Sequence, residues 1–403
     1  PPMRLRHTFV LALLAAAAPP AAAQDREPTA PVHHGISIGN YPNVSGLRFN
    51  YRDRDLQQVR GANFTIWNPY DEPTGTVRGL AFGAPLTAAG SISGIATGLF
   101  GVDAARDLTG IGIAPVGLGA GGRMKGIMMG GVGVGGGGDL QGIAIGGIGA
   151  GVGGNARGIL LGGIGAGVGG NVRGAAAGLI GVGAGGDIHG IVVGGIGAGA
   201  GGKLNGIAIG GVGAGAGGGG RGLMVGGVGA GTGGDFRGIA AGGVGVGAGG
   251  SVRGALIGGI GAGVGGDLHG IGIGGVGLGV AGTLRGVGLS VIGIGAGSSI
   301  DGLAIAGLGI GAPTIRKVAI ASMIGANRMD GLMIAPVLSR LEKGGSMRGV
   351  SVSAVNAMRG QQRGLTIGIV NYARELDGMQ IGVINIARNA NVKFLPIVNY
   401  KRK

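Results

Sequence analysis

Along most of this chain, small apolar residues alternate with glycine and polar residues return at a fixed distance. The segment GIAIGGIGAGVGGNAR at 142–157 is followed by GILLGGIGAGVGGNVR at 158–173, a period of 16 residues. The opening glycine recurs at every sixteenth position from Gly94 to Gly302. Gly46, Gly61 and Gly79 extend the series upstream. Gly331, Gly349, Gly364 and Gly378 extend it downstream at spacings of 18, 15 and 14. One repeat family therefore occupies nearly the whole chain after its leader.

Within a unit, the apolar run Ile143-Ala144-Ile145 is followed by Gly146-Gly147 and then by the alternating stretch Ile148-Gly149-Ala150-Gly151-Val152. A period of two is the signature of a strand, and glycine in a helix costs about 1 kcal/mol per residue relative to alanine. Each unit thus predicts two short strands. They can stack as parallel coils, or reverse at the Gly-Gly pairs as an antiparallel hairpin meander or barrel.

The later units separate these arrangements. Ile367-Gly368-Ile369 and Ile381-Gly382-Val383 carry a single glycine where the central units carry two. One residue bends a strand more readily than it reverses it. A meander would also need more than about forty strands, whereas open twisted sheets rarely exceed about ten. The fold expected is all-β, a β-solenoid of roughly 22 coils whose stability is shared between neighbours.

With Ile143 and Ile145 taken as inward, the residue between them faces outward. That row reads Ala144, Leu160, Ala176, Val192, Ala208, Met224, Ala240, Leu256 and Gly272. Glycines opposite Ile148, Ala150 and Val152 leave a second face nearly bare. Uncharged surface on this scale marks an interface, so these Gly-Ala faces are expected to pack against other copies of the chain or against the membrane or envelope.

Polar residues of the central units fall at one corner, as in Asn155-Ala156-Arg157, Asn171-Val172-Arg173, Asp187-Ile188-His189 and Asp267-Leu268-His269. Stacking aligns them into two polar ladders beside an apolar row. Arg157, Arg173, Arg221, Arg237, Arg253 and Arg285 then form a basic stripe, a candidate site for anionic glycans or lipid headgroups on a chain of formal charge +15. Nucleic acid is not expected, because no aromatic residues interleave for base stacking.

Glycine supplies 108 of 403 residues, which excludes an ordinary globular core; collagen is excluded because glycine does not recur at every third position. There is no cysteine, hence no disulfide framework. The opening stretch, with basic residues before an apolar run from Phe9 to Ala18 and small residues at Ala21 to Ala23, reads as a Sec-type signal peptide cleaved near Gln24. The expected location is the cell surface, the periplasm or outer membrane, or the exterior. The organisation expected is a signal peptide at 1–23, an N-terminal segment at 24–45, divergent coils at 46–93, central repeats at 94–317, and divergent coils with a cap at 318–403. Phe64, Trp67 and Tyr70 are expected to cover the first coils.

No residue constellation supports catalysis, a cofactor or a metal. The G-x-G-x-x-G matches arise from the repeat and lack a strand-to-helix setting. His7, His33, His34, His189 and His269 are too scattered to form a ligand set. Asp187 and Asp267 lack a calcium-repeat context. Asn371 and Asn385 occupy equivalent positions and are expected to form an internal hydrogen-bonded ladder.

The less degenerate ends carry a family resemblance. GLTIGIVNYARELDGMQIGVINIARNANVKFLPIVNY at 364–400 and GLRFNYRDRDLQQVRGANFTIWNPYDEPTGTVRGLAFG at 46–83 resemble the bacterial surface-repeat-containing proteins. The resemblance implies an exported, surface-associated repeat protein with no catalytic residues to carry over. The expected function is that of a non-enzymatic structural or interaction protein of the bacterial cell envelope. The alternatives are a polyanion- or glycan-binding module and a membrane-associated assembly.

Overall fold

The computed structural model describes residues 30–401. The leader read over 1–23, with His7, and the terminal Arg402-Lys403 lie outside the described residues. The fold is an all-β parallel β-solenoid of about 18 turns, without helices among the described residues. Contacts divide the chain into two compact units, Pro1–Gly130 with Gly135–Asp139 and Gly131–Val134 with Leu140–Lys403.

In the first unit, His33–Ile38 pairs in parallel with Asn43–Arg52, and the ladder continues through Gln58–Trp67, Thr76–Gly83, Ser91–Gly98, Leu108–Ala114 and Met124–Gly130. Gly35, Gly46, Gly61, Gly79, Gly94, Gly110 and Gly126 are stacked in register throughout. In the second unit, a seven-residue strand such as Leu140–Gly146 alternates with a four-residue strand such as Gly149–Val152, and each pairs with its equivalent sixteen residues on.

The opening glycine is dictated by the backbone. At Gly158 φ is +126°, and a β-carbon there would lie 2.0 Å from the carbonyl oxygen of Gly142 in the adjacent coil. Glycine suits both the left-handed φ and that approach. The exception in the series is Lys317, which stacks between Gly302 and Gly331 and stays left-handed at a smaller φ of +78°.

The strand faces are the reverse of the sequence expectation. Ala144, Leu160, Val192, Met224 and Leu256 are fully buried, whereas Ile159, Leu161, Ile191 and Val193 are exposed. Parity explains the reversal. Leu140 lies inside, so with period two Ala144 also points inward and Ile143 and Ile145 point outward. The narrow interior limits how much bulk the facing positions of one coil can hold. A β-carbon on Gly272 would meet the Leu278 methyls at 2.9 and 3.0 Å, and one on Gly112 would meet Leu118 at 2.5 Å. Leu278 and Leu118 on the short strands thus face glycine on the long ones.

Polar groups enter the core at the ends. In the first unit, Arg48 is completely buried, ion-paired with Asp53 and bonded to Asn63 Oδ1 at 2.9 Å and the Tyr41 carbonyl at 3.0 Å. In the second unit, the chain from Met323 to Ala387 stays extended through every bend, and the inward row changes from alanine and methionine to Ser351, Thr366 and Gln380. The final strand, Phe394–Lys401, folds back antiparallel onto 378–386 and caps that end.

The aromatic cap expected at the first coils is absent from that position. Phe64 lies between Phe49 and Phe82 on the outer side, stacked on the first at a centroid distance of 5.0 Å and tilted against the second at 6.1 Å. Trp67 is half exposed beside Arg52 in the register, and Tyr70 lies under the Arg52 and Arg54 guanidinium groups. The first strand keeps Ile36 and Ile38 exposed. The aromatics flank the early coils because their positions match the outward rows.

Candidate interaction surface

The residue preceding each opening glycine points outward, so parallel stacking turns it into a column. From Gln141 the register runs through Arg157, Arg173, His189, Asn205, Arg221, Arg237, Arg253, His269 and Arg285 to Asp301 and Arg316. All six arginines of the expected stripe, Arg157, Arg173, Arg221, Arg237, Arg253 and Arg285, are brought into this line, and all are exposed. None of the six is in an ion pair among the described residues. Asp301 is neutralised by Lys317 at 3.1 Å.

Sequence reasoning missed further members. Arg316 continues the column, and in the first unit Arg60, Arg78 and Lys125 occupy the same register position. The signal was available, since each immediately precedes an opening glycine or its replacement. The two histidines serve the column itself: His189 Nε2 lies 3.2 Å from Asn205 Nδ2, and His269 Nε2 lies 3.4 Å from Arg285.

The second polar ladder has a structural role. Asn155 Oδ1 accepts the Asn171 backbone N–H at 2.9 Å, Asn171 Oδ1 that of Asp187 at 2.6 Å, and Asp187 Oδ1 that of Lys203 at 2.7 Å. Asp235, Ser251 and Asp267 do the same for Ser251, Asp267 and Thr283. Each side chain thus satisfies the turn of the next coil, where a backbone N–H would otherwise lack a partner. Asp187 and Asp267 are engaged in this way and stand five coils apart.

In the first unit, Asp107 plays the same part for Arg123, accepting its backbone N–H at 2.8 Å and its guanidinium at 3.1 Å. Partial burial works against its charge, but these bonds and the charges of Arg123 and Arg106 leave the carboxyl below the usual range. Burial alone pushes the Asp103 carboxyl upward.

Beside the arginine column lie the outward apolar rows. Ile143, Ile159, Ala175, Ile191, Ile207, Leu223 and Ile239 form one row in register, and Ile145, Leu161, Ala177, Val193, Ile209 and Val225 form the next. Ile148, Ile164, Ile180 and Ile196 follow at the turn, each about half exposed. Beyond them the short strands turn bare glycine outward; at Gly167, Gly183 and Gly263 a β-carbon would meet open space. The surface thus passes from a line of cations to three aliphatic rows and then to naked backbone.

The asparagine ladder is internal, as expected, and longer than the sequence showed. Asn356 Nδ2 donates to Asn371 Oδ1 at 2.8 Å, and Asn371 Nδ2 donates to Asn385 Oδ1 at 2.7 Å. All three are fully buried. Comparison of this chain with family models, with curated proteins and with solved structures finds no match to any of them.

Proposed function

We propose that this chain is a non-enzymatic, surface-associated repeat protein of the bacterial envelope, one that lies along an anionic lipid surface. The supporting observation is the registered arginine column immediately beside the exposed aliphatic rows. An apolar face edged by cations has the chemistry of an interfacial membrane binder: aliphatic groups enter the acyl boundary while guanidinium groups stay at headgroup level. Each arginine near such a surface contributes about 1 kcal/mol. The solenoid repeats the arrangement about every 4.8 Å.

The charge asymmetry favours lipid over a second copy of the chain, whose matching face would bring the same cations close together. The export signal read over 1–23 and the resemblance of the chain ends to surface-repeat proteins are consistent with such a location. A second reading, a linear anionic polysaccharide bound along the column, rests on the same arginines and leaves the aliphatic rows unused.

Flotation with neutral and anionic vesicles at low and high salt tests the proposal. The chain should float with anionic vesicles. Replacing the six arginines by glutamine should weaken that binding at least about tenfold, with salt doing the same. A chain that stays with neither vesicle but binds anionic polysaccharide would favour the second reading. Concentration-dependent association without lipid would assign the apolar rows to self-assembly.

A further inference from the structure

We infer that the C-terminal coils hold a groove for a single straight acyl chain, supplied by a lipid of the layer on which the outer face rests. The inference builds on the lipid-surface reading and names what that surface captures. The groove is an open one of about 680 Å³, lined by Ile334, Val352, Ile367 and Ile381 on one side, Ile369 and Val383 on the other, with Ile397 from the final strand at its end.

Its shape follows from the sequence. At Gly368 and Gly382 no side chain points inward, and Asn356 and Asn371 sit inside the bend and donate to the carbonyls of Ile367 and Ile381 in the next coil at 3.0 and 2.9 Å. A β-carbon on Gly382 would lie 2.5 Å from Asn371 Nδ2. The isoleucines on either side of these glycines form the walls.

The walls select the occupant. The two rows are two residues apart along the strand, about 7 Å, and the four rungs span about 14 Å along the stack. That is room for one extended hydrocarbon chain. The one polar side chain in the lining, Ser353, already donates to the Val355 carbonyl at 2.9 Å. The groove lies on a sheet face whose backbone is paired within the sheet, so a peptide would bury its amides without partners. An acyl chain has none to satisfy.

No cation lines the groove to hold a free carboxylate, which places the lipid head outside it. The Ile305 row continues through Ile320 to Ile334, so the groove is the direct extension of the rows that face lipid.

The test uses the full chain on anionic vesicles containing a phospholipid with a photoreactive group near its acyl terminus, with adducts mapped by mass spectrometry. Adducts should concentrate on 334–383 over the rows of the central coils. Ala354→Trp, at an outward half-buried position, should reduce the groove adducts several-fold and leave central adducts unchanged. Val383→Asp, at a site 66% exposed, should do the same if tryptophan disturbs folding. Labelling spread evenly along the rows, or confined to the central coils, overturns the groove and leaves the lipid-surface reading standing. Absence of both flotation and labelling overturns both.

Discussion

The coils at 140–305 and those at 323–387 share one backbone plan and fill it with opposite chemistry. In the central coils the inward row is Ala144, Leu160, Ala176, Val192 and their equivalents. In the C-terminal coils the same row is Met333, Ser351, Thr366 and Gln380, flanked by the Asn356–Asn371–Asn385 ladder. The opening glycine persists in both, with a β-carbon at Gly158 or at Gly349 falling about 2 Å from the neighbouring carbonyl. Glycine therefore fixes the path of the chain, and the interior is free to be apolar or polar. The condition is that each rung matches the next, in volume in the one case and in hydrogen bonds in the other.

The sharpest way to break that shared plan is Gly190→Val in a central coil. With φ at +142° and the Gly174 carbonyl 1.9 Å from the new β-carbon, the cost should exceed about 4 kcal/mol. Denaturant unfolding should show loss of the coil or of the whole cooperative unit. The volume rule is tested next. Leu278→Ala should cost about 3 kcal/mol, Gly272→Leu alone should also destabilise, and the double variant should recover only part of the loss, because a β-carbon at 272 meets Leu268 at 2.6 Å as well as Leu278.

Asn371→Leu attacks the polar solution. It removes the partners of Asn356, Asn385 and the Ile381 carbonyl, and should cost about 3 kcal/mol in thermal unfolding. The smallest effect belongs to Asp107→Asn. Asparagine can still accept the Arg123 backbone N–H, as Asn155 and Asn171 do in their own coils, so the loss should stay within about 1 kcal/mol for this partly exposed pair. Because the folded carboxyl titrates below its usual range, its contribution is present at neutral pH and disappears as pH falls through the depressed value. The gap between wild type and variant should therefore close in acid.

The strand period, the coil stacking, both polar ladders and the arginine column were legible in the repeat, since period two and a fixed glycine leave little freedom in register. The inward face was not read correctly, because Ile143 and Ile145 are more hydrophobic than Ala144 and drew the assignment. A signal for the true parity was nevertheless present. Leu160 is followed by Ala166, Met224 by Ala230 and Leu256 by Ala262, whereas Gly272 is followed by Leu278 and Gly288 by Ile294. In these coils two positions six residues apart trade volume, as residues facing one another across a core would do. The groove at 334–397 was invisible in the sequence, since it depends on the final strand turning back antiparallel onto 378–386.

Whether the aliphatic rows face outward and meet lipid can be measured directly, because the chain has no native cysteine. Ile191→Cys and Val192→Cys, made singly, should be probed with a thiol reagent with and without anionic vesicles. The Ile191→Cys variant should label rapidly in solution and be protected by vesicles, and the Val192→Cys variant should label slowly in both conditions. Rapid labelling of the Val192→Cys variant with a protected Ile191→Cys variant in solution would contradict the fold's polarity. Ile191→Cys labelling unchanged by vesicles would contradict the lipid surface.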